Sequence, residues 1–419
     1  MTLVIPILIG VAALGAEAGL AFYNHRTLQS AADAAAYSAA IAYSNGDTGS
    51  TAFTTQAEAI VAGYGFVVGT GNGQVNVAAT STTFSGLPAI KVTLTLNQAP
   101  ILSSLYLNGA ISIAGSAIAV LSSSKSGGCM LALGNTATGN NAPNAVQMQG
   151  NPTVNLGSNC GLFSNSTDCS KGAFAVALGG NANIDAGSVG AAGCISVGGH
   201  SSINLPGGGT YTSNDGPVMN PYAGITMPTA SSSGSCAAGT CTPGVYSSGI
   251  SLAGGTWTLQ PGVYILESAG GNPAFQIGPG GGGTTVTGNG VTLVFTSATP
   301  GDLSSYPSTM MSVDSLSNVT LTAPTTGTTA GFVMMGDSTM PLGTSFDTHS
   351  NPNVTIDGTV YVPNGAFAWG GNPATGGSNF CLQFIVNTIT LYGDSAFSSG
   401  GCSLAGGQKP IGSIVTLVD

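Results

Sequence analysis

Four aspartates, Asp314, Asp337, Asp347 and Asp357, gather around His349 in the last third of the chain, its densest set of groups able to move a proton or hold a cation. Paired carboxylates serve glycoside hydrolysis as acid and base, and carboxylate oxygens with turn carbonyls can hold calcium. The run SFDTHSNPNVTIDG lacks the EF-hand order. No Lys or Arg lies between Lys171 and Lys409 to steady the negative charge a lyase develops. Short polar side chains in such runs bond their own backbone. Turn formation is therefore the expectation, with no catalytic residue assigned; bound calcium and a polysaccharide-degrading β-helix enzyme stand as alternatives.

The cysteines are the second chemical group. Eight of them, Cys129, Cys160, Cys169, Cys194, Cys236, Cys241, Cys381 and Cys402, occur without a CxxC pair. With little histidine nearby, they point to disulfides formed in an oxidising compartment and not to a metal centre. Short spacing favours Cys160–Cys169, Cys236–Cys241 and Cys381–Cys402 as loop staples, leaving Cys129 and Cys194 to join neighbouring turns of chain, although sequence leaves the pairing open. A third group is aromatic. Trp257, Tyr361, Phe367, Trp369 and Phe275 would stack on sugar rings if exposed, and would fill a core otherwise.

The elements that carry these residues are poor in charge. The 419 residues hold 5 Lys+Arg and 15 Asp+Glu, a net charge of −10, with 66 Gly. The five cations, Arg26, Lys91, Lys125, Lys171 and Lys409, are scattered, so neither nucleic acid nor an anionic membrane surface finds the clustered charge it needs. Frequent short Val/Ile/Leu/Phe runs supply more apolar surface than a disordered chain carries.

Residues 1–43 read as one long apolar, alanine-rich helix. The run 1–22 is long enough to span a bilayer, so a membrane anchor, a helix packed against its own copies in a filament, and a removed targeting segment all fit. Gly15 and Gly19, with Ala12, Ala16, Ala31, Ala35 and Ala39, would let neighbouring helices approach closely. A polar line runs through Arg26, Gln29, Asp33 and Tyr37 at helical spacing. Glu17, an acid in an apolar run, needs a partner or a watery interface. In an assembly it would meet the amino terminus or Arg26 of a neighbour.

From residue 63 the pattern turns to strands: 75–84, the alternating KVTLTLN of Lys91 to Asn97, and 110–121, with a helix-like link at 98–109. The segment Ala18 to Ala40, with its tyrosines and Leu-Gln-x-Ala-Ala-Asp-Ala-Ala-Ala run, resembles the amino-terminal module of TadE/TadG-like proteins of tight-adherence pilus loci. The strand, link and strand that follow resemble the same family. The resemblance implies a pilus-associated or envelope protein. It carries no metal site, because the DxSxS signature of the von Willebrand type A domain found in many TadG-like members is absent from the sequence.

Beyond residue 127 the segments Ala145 to Gly157, Ala175 to Gly187 and Cys194 to Pro206 share one form: a strand, a small polar turn and a second strand. Pro-Gly-Val-Tyr ending at Tyr246 recurs at Tyr264. Each such pair would expose its apolar face unless coils stacked. The expectation is a long helix with a small α/β module (1–43 and 44–126), followed at 127–419 by a right-handed parallel β-helix, with a β-sandwich as runner-up. The function expected is a non-catalytic structural subunit of a cell-surface or extracellular filament, packed on copies of itself or on other pilus or envelope proteins, and held in the inner membrane before assembly. A surface glycan-binding adhesin is the alternative.

Overall fold

A computed structural model describes residues 4–44, 50–84, 87–100, 110–134, 144–170, 172–215, 217–218, 220–268, 271–348, 352–370, 372–373, 381–399, 408 and 411–418. The chain forms two units, 1–122 with 413–419 and 123–412. Long helix and small module, expected as successive parts, therefore make one unit, and the body is inserted between the two stretches of that unit.

In the first unit, helix α1 (Val4–Ser44) and helix α2 (Ser50–Gly63) pack with an antiparallel sheet. The sheet is made by Gln74–Phe84, Leu87–Gln98 and residues 111–120 of the strand Ile111–Ala132. The sheet side chains alternate, so Val75, Ile90, Val92, Leu94 and Ala119 point to one core. Into it α1 turns Leu28, Ala31, Ala32, Ala35, Ala36, Ala39 and Ala40, all fully buried. The small residues bring helix and sheet backbones close, and the Gln29 side chain exploits that closeness. Its amide donates to the Ser116 carbonyl at 2.9 Å and accepts from the Ser116 N–H at 3.3 Å, as a neighbouring strand would. A side chain on Gly115 would press against the Gln29 backbone at 3.2 Å. The expected link at 98–109 lies mostly outside the described residues.

The second unit is a stack of parallel coils of the β-helix kind. Apart from two short hairpins its pairings among the described residues are parallel, unlike the antiparallel sandwich held as runner-up. Two ladders run through the stack, and a third forms a separate seven-stranded sheet beside part of them. One contains Gly262–Glu267, Val291–Thr296, Phe332–Gly336 and Thr359–Gly370. A second contains Phe275–Ile277, Thr309–Val313 and Thr344–Thr348, and a third Gly255–Leu259, Thr284–Asn289, Asn318–Thr322 and Asn353–Asp357. Between them runs a core that includes a chain of rings. Phe346 stacks on Phe367 at 4.7 Å, Phe367 meets Phe384 edge-on at 4.9 Å, and Phe384 meets Trp369 at 5.2 Å and Phe397 at 5.8 Å.

Stacking order is not chain order. The last coil lies directly on the first: Phe384 pairs with Met130, Ile389 with Val146 and Ala396 with Thr153. From the first coil the chain climbs through Thr153–Ser164 and Asn183–Ala191 to Thr212–Ser213. It then returns to the opposite end, where the Val245 backbone donates to Ser232 and accepts from Gly234, and climbs again until it meets its own start. The first ladder counts ten strands from Thr212–Ser213 to Gly244–Tyr246. At ~4.8 Å per strand its ends are roughly 43 Å apart, a distance that the residues between Ser213 and Ser232 can cover in extended form at about 3.3 Å each.

This return segment is a strap over the outer side of the first ladder. Tyr222 is 2% exposed, its ring 4.8 Å from Phe332 and 5.5 Å from Tyr361. Its hydroxyl donates to Gln383 Oε1 at 2.7 Å. Asn165 holds the start of the strap through two bonds of 2.7 Å to the Val218 backbone. Leu131, Phe163, Ile265, Val294, Met335 and Ile385 lie beneath it. The ladder is thus buried on both faces, which is why its strands read VTLVF and FVMMG without alternation.

Coil geometry also sets the disulfides. Cys129 bonds Cys160 and Cys169 bonds Cys194, with sequence separations of 31 and 25. Residues one coil apart come into register, as Gly127, two residues from Cys129, does with Cys160, whereas Cys160 and Cys169 sit at different places on one coil. The expected Cys160–Cys169 staple is therefore corrected, and Cys129 and Cys194 each join a neighbouring coil through other partners. Cys236–Cys241 forms as expected, across a hairpin in which the two are directly paired. Cys381 is disulfide-bonded and its Sγ lies 3.3 Å from Cys129 Sγ; Cys402, the partner expected for it, lies outside the described residues.

Candidate functional site

Among the described side chains, α1 presents its free surface between Gly15 and Tyr23. Gly15 and Gly19 have open space where a side chain would stand. Phe22 and Tyr23 are 71% and 66% exposed, and Leu20 is exposed beside them. Water-facing rings on a helix are unusual for a chain meant to stand alone. Half a turn away the helix is spent on its own sheet. Asn24 donates to Gln98 Oε1 at 2.8 Å, and Gln29 donates to Asp33 Oδ1 at 3.0 Å as well as to Ser116.

This placement sorts the residues expected to act in assembly. Gly15, Gly19, Arg26 and Tyr37 face outward, while Asp33 is partly covered and tied to Gln29. Ala31, Ala35 and Ala39 are not available to a neighbouring helix, because the first unit buries them. Glu17 is 6% exposed within that unit and so is not presented to a neighbour's Arg26. Ala12 and much of the apolar run 1–22 belong to residues 1–14, whose side chains lie outside the described residues. Among the described residues no helix is long and apolar enough to cross a membrane; most side chains of the span expected at 1–22 lie outside them. Beyond Gly15, Glu17, Asn24, His25, Arg26 and Gln29 interrupt the apolar run.

The acidic residues disperse over the stack instead of converging. Asp337 follows the first ladder, Asp347 lies in the second, Asp314 follows the second, and Asp357 closes a strand of the third. His349 lies outside the described residues. Asp337 accepts from the Thr339 N–H at 2.8 Å and from the hydroxyls of Thr339, Tyr306 and Thr296, each at 2.9 Å. Burial pushes its carboxyl up, but these four bonds outweigh burial and hold it below the usual aspartate value. A carboxylate so satisfied has no lone pair to spare for a substrate. Tyr392 reaches Asp347 Oδ1 at 3.4 Å and the Thr348 carbonyl at 2.7 Å. Burial first, and the adjacent Asp347 second, push its phenol up to about 12.

The rings expected to meet sugars are inside. Trp369 and Phe367 are 1% exposed in the core, Phe275 is buried there too, and Tyr361 lies under the strap with its hydroxyl accepting from Asn220 at 3.1 Å. Trp257 is partly buried against the same core and donates to the Gly254 carbonyl at 3.0 Å. As placed, these rings serve packing. The repeated Pro-Gly-Val-Tyr is structural as well: the hydroxyls of Tyr246 and Tyr264 reach the carbonyls of Thr242 (2.6 Å) and Gln260 (2.7 Å), and the rings stack 6.0 Å apart on adjacent coils.

Residues 1–42 match the model of a family described as putative Flp pilus-assembly TadE/G-like. The match falls on the helix whose sequence carries the resemblance and supports a pilus-assembly-associated protein. No curated protein and no solved structure matches the chain.

Proposed function

We propose that this protein is a non-catalytic structural subunit of a pilus-associated assembly at the cell envelope or surface, joined through the free end of α1 to copies of itself or to other pilus or envelope proteins. The observation that carries the reading is the coincidence of the family match with the outward Gly15, Gly19, Phe22 and Tyr23. Small residues admit a partner backbone, and the adjacent rings supply apolar area worth about 1.5–3 kcal/mol each when covered. Disulfides that tie neighbouring coils suit an oxidising exterior. The dispersal of the acids supports the non-catalytic part, and no cofactor enters the proposal.

Sedimentation and electron microscopy of native material test it. Particles or fibres are expected, and Gly15→Leu with Gly19→Leu, or Phe22→Ser with Tyr23→Ser, should dissolve them while circular dichroism stays unchanged. A strictly monomeric native protein that is stable without detergent, or assembly indifferent to both double variants, overturns the reading.

A further inference from the structure

Beside the end of the stack, the paired strands Thr153–Ser164, Asn183–Ala191 and Ser202–Asn204 carry a pocket of about 300 Å³ lined by Asn155, Ser158, Asp185 and Asn204, with Leu205 and Pro206 as an apolar wall. Gly157 and the buried Ala186 form its floor. Register explains the convergence: Asn155 pairs with Asp185, and Asp185 with Asn204, so three polar side chains stand in one column about 4.8 Å apart.

The column next to it shows what such a row does when it is purely structural. There Asn151 donates to Asp394 at 2.8 Å and Asn181 donates to Asn151 at 2.6 Å, each amide spent on the coil below. The pocket column differs. Asn204 gives its N–H to Asn183 at 3.0 Å and keeps its carbonyl oxygen, while the side chains of Asn155, Ser158 and Asp185 make no hydrogen bond among the described residues. A carboxylate, a hydroxyl and two amides thus open on a space the size of one small ring, beside apolar carbons.

From this geometry we infer that the pocket binds a neutral saccharide. Asp185 accepts from a pair of adjacent sugar hydroxyls, Asn155 donates to and accepts from their neighbours, and the C–H face of the ring lies on Leu205 and Pro206. A volume of about 300 Å³ is at the small end of ligand pockets, enough for one terminal or internal sugar unit. The net charge of −10, with Asp185 in the wall, excludes anionic polysaccharides. The inference is independent of the assembly reading, which concerns α1.

The test uses the full chain with maltotriose, cellotriose, mannotriose and chitotriose as probes, read by saturation-transfer NMR and titration calorimetry, with and without calcium. At least one probe should bind without calcium. The double variant Asn155→Ala with Asp185→Ala should lose affinity about tenfold or more, and Ser158→Trp, which fills the pocket, should abolish binding. All these side chains point outward, so thermal melting should be unchanged and confirm that each variant is folded. Silence from all four probes, equal binding by the variants, or binding that requires calcium overturns the inference. Sedimentation of the same variants should be unaltered, so failure here leaves the α1 proposal standing.

Discussion

Replacing Tyr222 tests whether the strap closes the stack or merely lies on it. Tyr222→Phe removes only the hydroxyl, whose acceptor Gln383 Oε1 still receives Thr359 Oγ1 at 3.1 Å. One buried hydrogen bond is worth about 0.5–1.5 kcal/mol. Tyr222→Ala also removes a ring that is 2% exposed and touches Phe332 and Tyr361. Truncating a buried aromatic costs about 3–5 kcal/mol. Because the strap holds side chains from coils far apart in sequence, such as Phe163, Phe332 and Ile385, that loss should fall on the coupling between coils. Equilibrium denaturation should place the two variants in that order, and limited proteolysis of Tyr222→Ala should cut first between residues 217 and 231 before the coils unravel. Equal midpoints for Tyr222→Ala and the parent protein, or first cuts elsewhere, would refute the closing role.

Three further outcomes follow from local chemistry. Trp369 Nε1 is buried without a hydrogen-bond partner, so Trp369→Phe, which removes an unpaired donor with part of the ring, should cost well under the about 3–5 kcal/mol expected of Trp369→Ala by chemical denaturation. Asp337 is depressed in the folded chain, so its contribution is present above the unfolded aspartate value and lost as pH falls through the lower folded one; Asp337→Asn should flatten the acid limb of a melting-temperature profile. Tyr392, raised to about 12, contributes stability that is complete below the unfolded phenol value and lost as pH rises towards 12. Its phenolate absorbance should therefore appear only as pH approaches 12, and Asp347→Asn should bring it forward.

What was legible in the sequence is what repeats locally. Ala145 to Gly157, Ala175 to Gly187 and Cys194 to Pro206 are adjacent coils, paired Val146 with Val176 and Val176 with Ile195. Their shared glycine marks a corner where Gly150 and Gly180 take φ of 96° and 75°, and a side chain on Gly180 would collide with the Gly150 carbonyl oxygen. A fourth copy, Tyr392-Gly393-Asp394, sits directly against the first, and its distance along the chain hid it. The pairings Cys129–Cys160 and Cys169–Cys194 followed coil register instead of sequence proximity, which spacing alone does not encode. For Trp369 and Phe367 the sequence left core packing and sugar stacking both open, since strand alternation does not tell which face looks inward once a strap covers the outer one; the core reading is the one found. The pocket lining was missed because Asn155, Asp185 and Asn204 become one column only through stacking; the shared fifth position of N-P-T-V-N, N-A-N-I-D and H-S-S-I-N was the available signal.

The return of the last coil onto the first has a mechanical consequence. In an ordinary solenoid the chain enters at one end of the stack and leaves at the other, so a pull on the termini peels terminal coils one at a time. Here residues 129–132 and 384–386 are paired neighbours in mid-stack, and the strap makes the two runs of coils a closed circuit. Force applied at the entry and exit points meets the ladder pairs of Phe384 with Met130, Ile389 with Val146 and Ala396 with Thr153 together, backed by the ring contacts of Phe384 with Trp369 and Phe397.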